Sequence, residues 1–364
     1  MYSFHQIALA CIPGIGGVTG KALLSHFGTA EAVFKAKKNH LTAVPGIGEK
    51  TADLILAKGG FDCAEQEIKF IEKYNIKPLF FTDEDYPRRL KHCYDAPLIV
   101  YFKGNADLNA AKVISIVGTR NATGYGKELC QQLVSDLKPH NVLVVSGLAY
   151  GIDIMAHKAC LKEDITTVAA LGHGLDRIYP ALHRSYAEQM LENGGLITDF
   201  PSGTNPDREN FPKRNRIIAG MSDATIVVEA SIKGGALITA EIANSYNRDV
   251  FAFPGSVNDE FSTGCNYLIK TNRAHLISNI KDLEYILDWT ENKPKKEQKQ
   301  ISLKLNLSPD EKKVTDILEE KGLTGIDALA FAIKLPQSKL AITILGLEMQ
   351  GIIVALPGKV YKLA

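Results

Sequence analysis

The stretch that most constrains this chain is residues 211–255, FPKRNRIIAGMSDATIVVEASIKGGALITAEIANSYNRDVFAFPG. Two β-rich apolar runs, 224–228 and 250–253, alternate with helical patterns over 217–221 and 236–246. Apolar runs this short, without polar alternation, suit strands buried on both faces, as in a parallel sheet. The rhythm begins upstream. Strands are expected over 113–117, 142–145, 166–171 and 196–198, with helices to about 137, through 162 and from 180. Residues 106–290 therefore read as an α/β domain with a parallel sheet and right-handed crossovers.

Four of its strand ends carry Gly-rich or charged loops: Gly118 with Arg120, Gly147, Gly172, and Gly234-Gly235. Ligands of open α/β sheets sit outside the carboxyl ends of the strands. Helix N-terminal amides at that edge favour an anion. Lys213, Arg214 and Arg216, with Asn215 between the arginines, precede the 224–228 strand. Beside Arg120 they suggest phosphate, to which a guanidinium can fork two hydrogen bonds. The alternative for Arg214 and Arg216 is a structural ion pair under a loop. Asn215 either fixes a base or sugar edge or caps the helix, the role its propensity favours. The first loop is G-x5-G-x-G, and Ser146-Gly147 stands where a dinucleotide fold needs an acid. There is also no GxxxxGK[ST]. NAD and a P-loop nucleotide are thus disfavoured, and no cofactor is expected.

A net charge of +1 means that any phosphate-binding surface is a local patch. The six cysteines form no CxxC pair, and the nine histidines no HExxH. Reduced thiols are expected, with neither a zinc site nor a disulfide framework. No leader and no membrane-spanning run is visible, so the expected compartment is the cytoplasm, with no membrane partner.

Upstream, Pro13-Gly14-Ile15-Gly16 and Pro45-Gly46-Ile47-Gly48 repeat one tetrad between short helices expected over 4–10, 19–26, 31–36 and 51–58. Such glycines let backbone approach closely and expose helix-initial amides. This resembles a tandem helix-hairpin-helix unit, which either contacts the DNA backbone or serves only as a docking domain. A helix over 62–76 completes a helical domain, 1–76. Residues 77–103 read as an extended connector with one or two strands, its dense aromatics serving as core. The 291–306 stretch reads as a charged linker. From 307 to 364, a capping box at Ser308-Pro309-Asp310-Glu311, three helices and a hairpin about Pro357-Gly358 spell a winged helix. Its third helix, LPQSKLAITILGLEMQ, has few groups that read bases, which favours protein docking or regulation.

IVGTRNATGYG, VVSGLAYGIDIMAHKA, ALGHGLDRIYP, FPKRNRIIAGMSDATIVVEA, GGALITAEIA and FAFPGSVNDEFSTGCNYLI occur in this order. Over about 79–280 the chain resembles the DNA-processing protein A (DprA, or Smf) family. The resemblance implies an extended Rossmann-like domain over 77–290 that binds single-stranded DNA, dimerises and loads the RecA recombinase in natural transformation. No catalytic or metal-binding residues are implied. Arg120, Arg214 and Arg216 become candidates for the DNA pocket, with Lys213 and Asn215 beside them. Ala181 stands where the family often has a basic residue, and Arg184 offers a substitute. The rival reading is a nucleotide phosphoribohydrolase using the same strand-end pocket, since Gly234-Gly235, Thr239 and Glu241 echo PGGxGTxxE. A third reading is a docking scaffold for RecA.

Overall fold

The computed structural model describes residues 3–289, 307–333, 335–356 and 359–363. The expected linker over 291–306 and the Pro357-Gly358 turn lie outside them. Two compact units form, Met1–Thr290 and Glu291–Ala364.

The first unit opens with helices α1 (Phe4–Ala10), α2 (Gly17–Phe27), α3 (Ala30–Lys35), α4 (Lys38–Thr42), α5 (Glu49–Leu56) and α6 (Phe61–Tyr74). The short polar α4 left no apolar period to read. Both tetrads turn between helices, and Gly14 and Gly46 take φ of +86° and +84°, where a side chain is strained. Ile15 and Ile47 point into the core. The repeats face each other: a Cβ on Gly14 would lie 3.9 Å from Thr51 Oγ1, and one on Gly46 3.2 Å from Thr19 Cγ2. Cys11 and Cys63 are paired as a disulfide across a Cα–Cα distance of 6.2 Å. This corrects the expectation of six reduced thiols. Packing of α1 on α6 brings together residues that are 52 positions apart in sequence. The other four cysteines are free and buried.

A nine-stranded sheet follows. Strands β1 (Lys77–Phe80) and β2 (Ile99–Gly104) flank helix α7 (Arg88–Lys91). Then β3 (Val113–Val117), α8 (Gly124–Leu137), β4 (Leu143–Ser146), α9 (Ile152–Glu163), β5 (Thr167–Ala170), α10 (Arg184–Met190) and β6 (Gly194–Thr198) alternate. Next come α11 (Asn210–Met221), β7 (Ala224–Val227), α12 (Gly235–Ser245), β8 (Asp249–Ala252), α13 (Thr263–Lys270), β9 (His275–Leu276) and α14 (Ile280–Ile286). The order is β1-β2-β6-β5-β4-β3-β7-β8-β9. From β6 to β9 all pairings are parallel, while β2 pairs antiparallel with both β1 and β6. The sheet is therefore mixed, because the expected connector strands join its edge.

Strand β3 shows why the runs are apolar throughout. Val113 and Val117 pack with Ile217, Ile218 and Ala240 of α11 and α12. Ile114 and Ile116 pack with Leu133, Val134 and Ala156 of α8 and α9. Alternate side chains thus enter opposite cores of a three-layer stack. The helical layer covers the antiparallel edge, where Phe80, Leu98, Ile99 and Tyr101 share a core with Leu9, Leu41 and Ile71. Helix α2 lies so close that a Cβ on Gly17 or Gly20 would collide with Ala96 or Leu98.

The second unit comprises α15 (Pro309–Lys321), β10 (Thr324–Gly325), α16 (Ile326–Ile333), α17 (Gln337–Met349), β11 (Ile353–Leu356) and β12 (Val360–Leu363). Its sheet order is β10-β12-β11, and Leu318, Leu329, Leu340 and Ile344 form its core. The Ser308 capping box forms as expected, with Ser308 N–H donating to Glu311 at 2.8 Å. Among the described residues no single helix is long and apolar enough to cross a membrane.

Candidate nucleic-acid interface

The strand order reverses at β3. From there β4, β5 and β6 step outward on one side, and after α11 the chain returns to β7 and β8 on the other. At this switch point the loops after β3 and β7 leave a cleft of about 720 Å³, the ligand position typical of open α/β sheets. Gly118, Thr119 and Arg120 form its base. Phe211 and Asn215 of α11 form one side, Gly234, Gly235 and Ala236 the other, and Tyr179 reaches in from the loop after β5.

The base is clamped by backbone and one buried acid. Thr119 N–H donates to the Glu229 carbonyl at 2.7 Å, and the Thr119 carbonyl accepts from Ile152 at 3.1 Å. The Glu229 carboxylate accepts the Thr123 N–H at 3.0 Å and its hydroxyl at 2.6 Å. A Cβ on Gly126 would collide with that carboxylate. The loop after β3 is thereby fixed to β7 and to the N-terminus of α8. Next to it, Leu148 sits at φ +58°, a left-handed conformation costing about 1–3 kcal/mol that persists only where the surroundings impose it. His183 Nδ1 meets the Leu148 carbonyl at 2.8 Å.

Arg120 is exposed and has no carboxylate partner among the described residues. Its guanidinium lies 5.6 Å from the Phe211 ring centroid, and the Phe211 ring lies 6.0 Å from that of Tyr179. An exposed cation beside one ring, with a second ring next to that, suits a phosphate flanked by stacked bases. Helix α12 starts at the cleft wall with Gly234 as its N-cap, and its first amides lack partners within the helix.

The two arginines of α11 behave otherwise. Arg214 is only 4% exposed. Its Nη1 donates to the carbonyls of Gly147 at 2.5 Å and Ala170 at 2.7 Å, tying the ends of β4 and β5 together. Burial pulls its pKa down to about 10, opposed by Asp153. Burial pushes the Asp153 carboxyl up, opposed by Arg214. Arg214 reaches the cleft wall, but its charge is largely spent on the scaffold. Arg216 lies outside the cleft, bonded to the Asp95 carbonyl and to Asp199 Oδ2. This is the structural ion pair given above as the alternative.

The other expected residues sort by layer. Gly118, Gly234 and Gly235 line the cleft. Gly147 lies beneath it, where a Cβ would strike Arg214, and a Cβ on Gly172 would come within 3.0 Å of Phe211. Asn215 is inside α11 and lines the cleft, so it is no cap, because the helix begins at Asn210. Lys213 is exposed beside Asn210 and is not part of the lining. Arg184 sits in a separate pocket beyond Tyr179. Sequence reasoning missed Phe211 as a ring for Arg120, and missed Arg208 and Lys233, exposed cations of the lining. Lys233 adjoins the Gly234-Gly235 turn, a signal that was readable. Arg208 stands alone in a polar loop, and only the fold brings it in. Glu260 is an acid of the same lining. Glu241, the carboxylate of the hydrolase-like motif, is not part of this lining. Glu241 lies on another face of α12, paired with Arg273.

A family profile described as DNA recombination-mediator protein A matches residues 77–288. Residues 7–58 match a SAM-like helix-hairpin-helix tandem, and 298–359 the DprA winged helix domain. Protein Smf of Escherichia coli (strain K12) is 32% identical over 343 residues, covering 90% of this chain and 89% of that protein. The X-ray structure of DNA processing protein A from Streptococcus pneumoniae matches with a TM-score of 0.67 at 29% identity, covering 78% of this chain and 98% of that one. A structure of DNA processing protein A from Helicobacter pylori, described for its single-stranded DNA binding mode, matches with a TM-score of 0.54 at 28% identity, covering 59% of this chain and 97% of that one. The chain belongs to the DNA recombination-mediator protein A family.

Proposed function

We propose that this protein binds single-stranded DNA in the cleft at the β3/β7 switch point, protects it, and loads the RecA recombinase onto it. The observation that carries the DNA reading is Arg120, a guanidinium with no ion pair among the described residues, on a clamped loop beside the Phe211 ring, which in turn adjoins that of Tyr179. Arg208 and Lys233 add local positive charge to a chain whose net charge is only +1. The Helicobacter pylori relative, whose structure concerns single-stranded DNA binding, supports the choice of ligand. RecA loading, and a homodimer through the 77–290 domain, rest on family membership. The segment after Pro254, with Val257 82% exposed, is the candidate dimer surface. In the winged helix, Lys339 is paired with Asp310 at 2.6 Å, while Phe331, Ile342 and Met349 are exposed. That pattern favours a protein partner over DNA for this unit.

The test is an anisotropy titration with single- and double-stranded oligonucleotides of equal length. The expected result is tighter binding of the single strand by the wild type. Equal binding of both, or none, contradicts the proposal.

A further inference from the structure

The loop after β5 has two sides. Tyr179 lines the switch-point cleft, while Asp176, Arg177 and Ile178 line a second pocket of about 320 Å³. One wall of this pocket is the end of α6, where Phe70 and Tyr74 lie 4.8 Å apart at 52°. Lys103 of β2 and Arg184 of α10 complete it. Leu175, Leu191 and Leu196 supply an apolar floor. Tyr74 is 41% exposed. The Lys73 and Lys103 ammonium groups approach its ring centroid at 5.2 and 5.7 Å.

We infer that this pocket is a second nucleotide subsite, in which a base of the DNA strand leaving the cleft stacks on Tyr74. The inference rests on the single-strand reading given above. Three observations carry it. The pocket adjoins the cleft through adjacent residues of one loop, so a strand crossing Tyr179 meets it next. Its walls combine aromatic rings with cations, as single-strand binders require. Lys73, Lys103 and Arg184 have no ion pair among the described residues, whereas Arg177 is already neutralised by Asp176 at 2.7 Å. Glu188 is the remaining acid of the lining, four residues from Arg184. The size lies at the lower end of roughly 300–1,000 Å³ for small-ligand sites, enough for one base and not for a protein segment. Arg184 thereby acquires a role away from the cleft, and α6 becomes the element through which the helical layer touches DNA.

The test uses the full chain with labelled oligo-dT of roughly 6 and roughly 20 nucleotides, bracketing the reach of one binding fold. Tyr74→Ala is expected to weaken the long oligonucleotide by roughly 5- to 100-fold and leave the short one unchanged. Tyr74→Phe, which keeps the stacking face, is expected to bind both as the wild type does, and this controls for folding. Arg120→Ala is expected to weaken both lengths. Wild-type affinity of Tyr74→Ala for the long oligonucleotide, with Arg120→Ala impaired, overturns the subsite and leaves the cleft reading standing. Wild-type affinity of Arg120→Ala for both lengths overturns the cleft reading and the subsite with it.

Discussion

Three arginines that look alike in sequence do different work because their surroundings differ. Arg120 ends a clamped turn, exposed and with no ion pair among the described residues. Arg214 donates to two strand-end carbonyls from a buried position. Arg216 bonds Asp199 and the Asp95 carbonyl. Stability and binding should therefore separate. Arg214→Ala leaves those carbonyls and the buried Asp153 uncompensated, and is expected to cost about 3–5 kcal/mol in urea unfolding. Arg216→Ala removes two charge-assisted bonds, to the Asp95 carbonyl and to the partly buried Asp199, and is expected to cost about 2–4 kcal/mol, with DNA affinity unchanged once folding is saturated. Arg120→Ala is expected to stay within about 0.5 kcal/mol of wild-type stability, since its side chain is exposed. A destabilised Arg120→Ala, or an Arg214→Ala as stable as the wild type, would reverse these roles. Arg120 could be placed from sequence because it lies three residues past a strand, after Gly118-Thr119. Arg216 could not be, since Asp95 and Asp199 reach it only through the fold.

Elements of the parallel core were legible where apolar runs met strong punctuation. Residues 113–117 and the helix ending near 137 match β3 and α8, because Gly118, Thr123 and Gly124 mark the boundaries. The antiparallel pairing of β1 and β2 was not legible, since strand direction is decided by which edge is open. Helix α9 shows how an element's packing sets pH dependence. His157 is fully buried on it, and its Nδ1 lies 2.7 Å from Thr167 Oγ1 on β5. Burial lowers its pKa from 6.5 to about 3, with His183 and Arg214 adding to the effect. The folded value lies below the unfolded one, so below pH 6.5 the unfolded chain binds a proton that the native state refuses. The stabilisation is complete above that pH and is lost as pH falls towards 3. From this residue, unfolding free energy should drop by about 2 kcal/mol between about pH 7 and about pH 5. His157→Gln should remove that part of the slope, and an unchanged slope would show that the ring is not buried neutral.

For the molecule as a whole, each unit has its own hydrophobic core. A chain ending at Thr290 is expected to fold and to bind single-stranded DNA within about threefold of the full protein, a difference under 1 kcal/mol. An unfolded product, or a tenfold loss, would show that residues 291–364 are needed by the first unit. At this scale the edge that carries the cleft was legible, because four glycine-bearing strand ends can converge only at one side of a parallel sheet. The composition of the cleft was only partly so. Phe211 and Arg208 enter through the angle of α11 and the path of the loops, which no local pattern encodes, whereas Lys233 was marked by the glycine turn that it precedes. The central claim is that DNA phosphate meets Arg120 at the switch point. The most direct test is the slope of log affinity against log salt for a single-stranded oligonucleotide, measured on wild type and on Arg120→Ala. The account predicts weaker binding by the variant and a slope shallower by about 0.7, the contribution of one single-strand phosphate contact. An unchanged slope and affinity in a folded Arg120→Ala would contradict it.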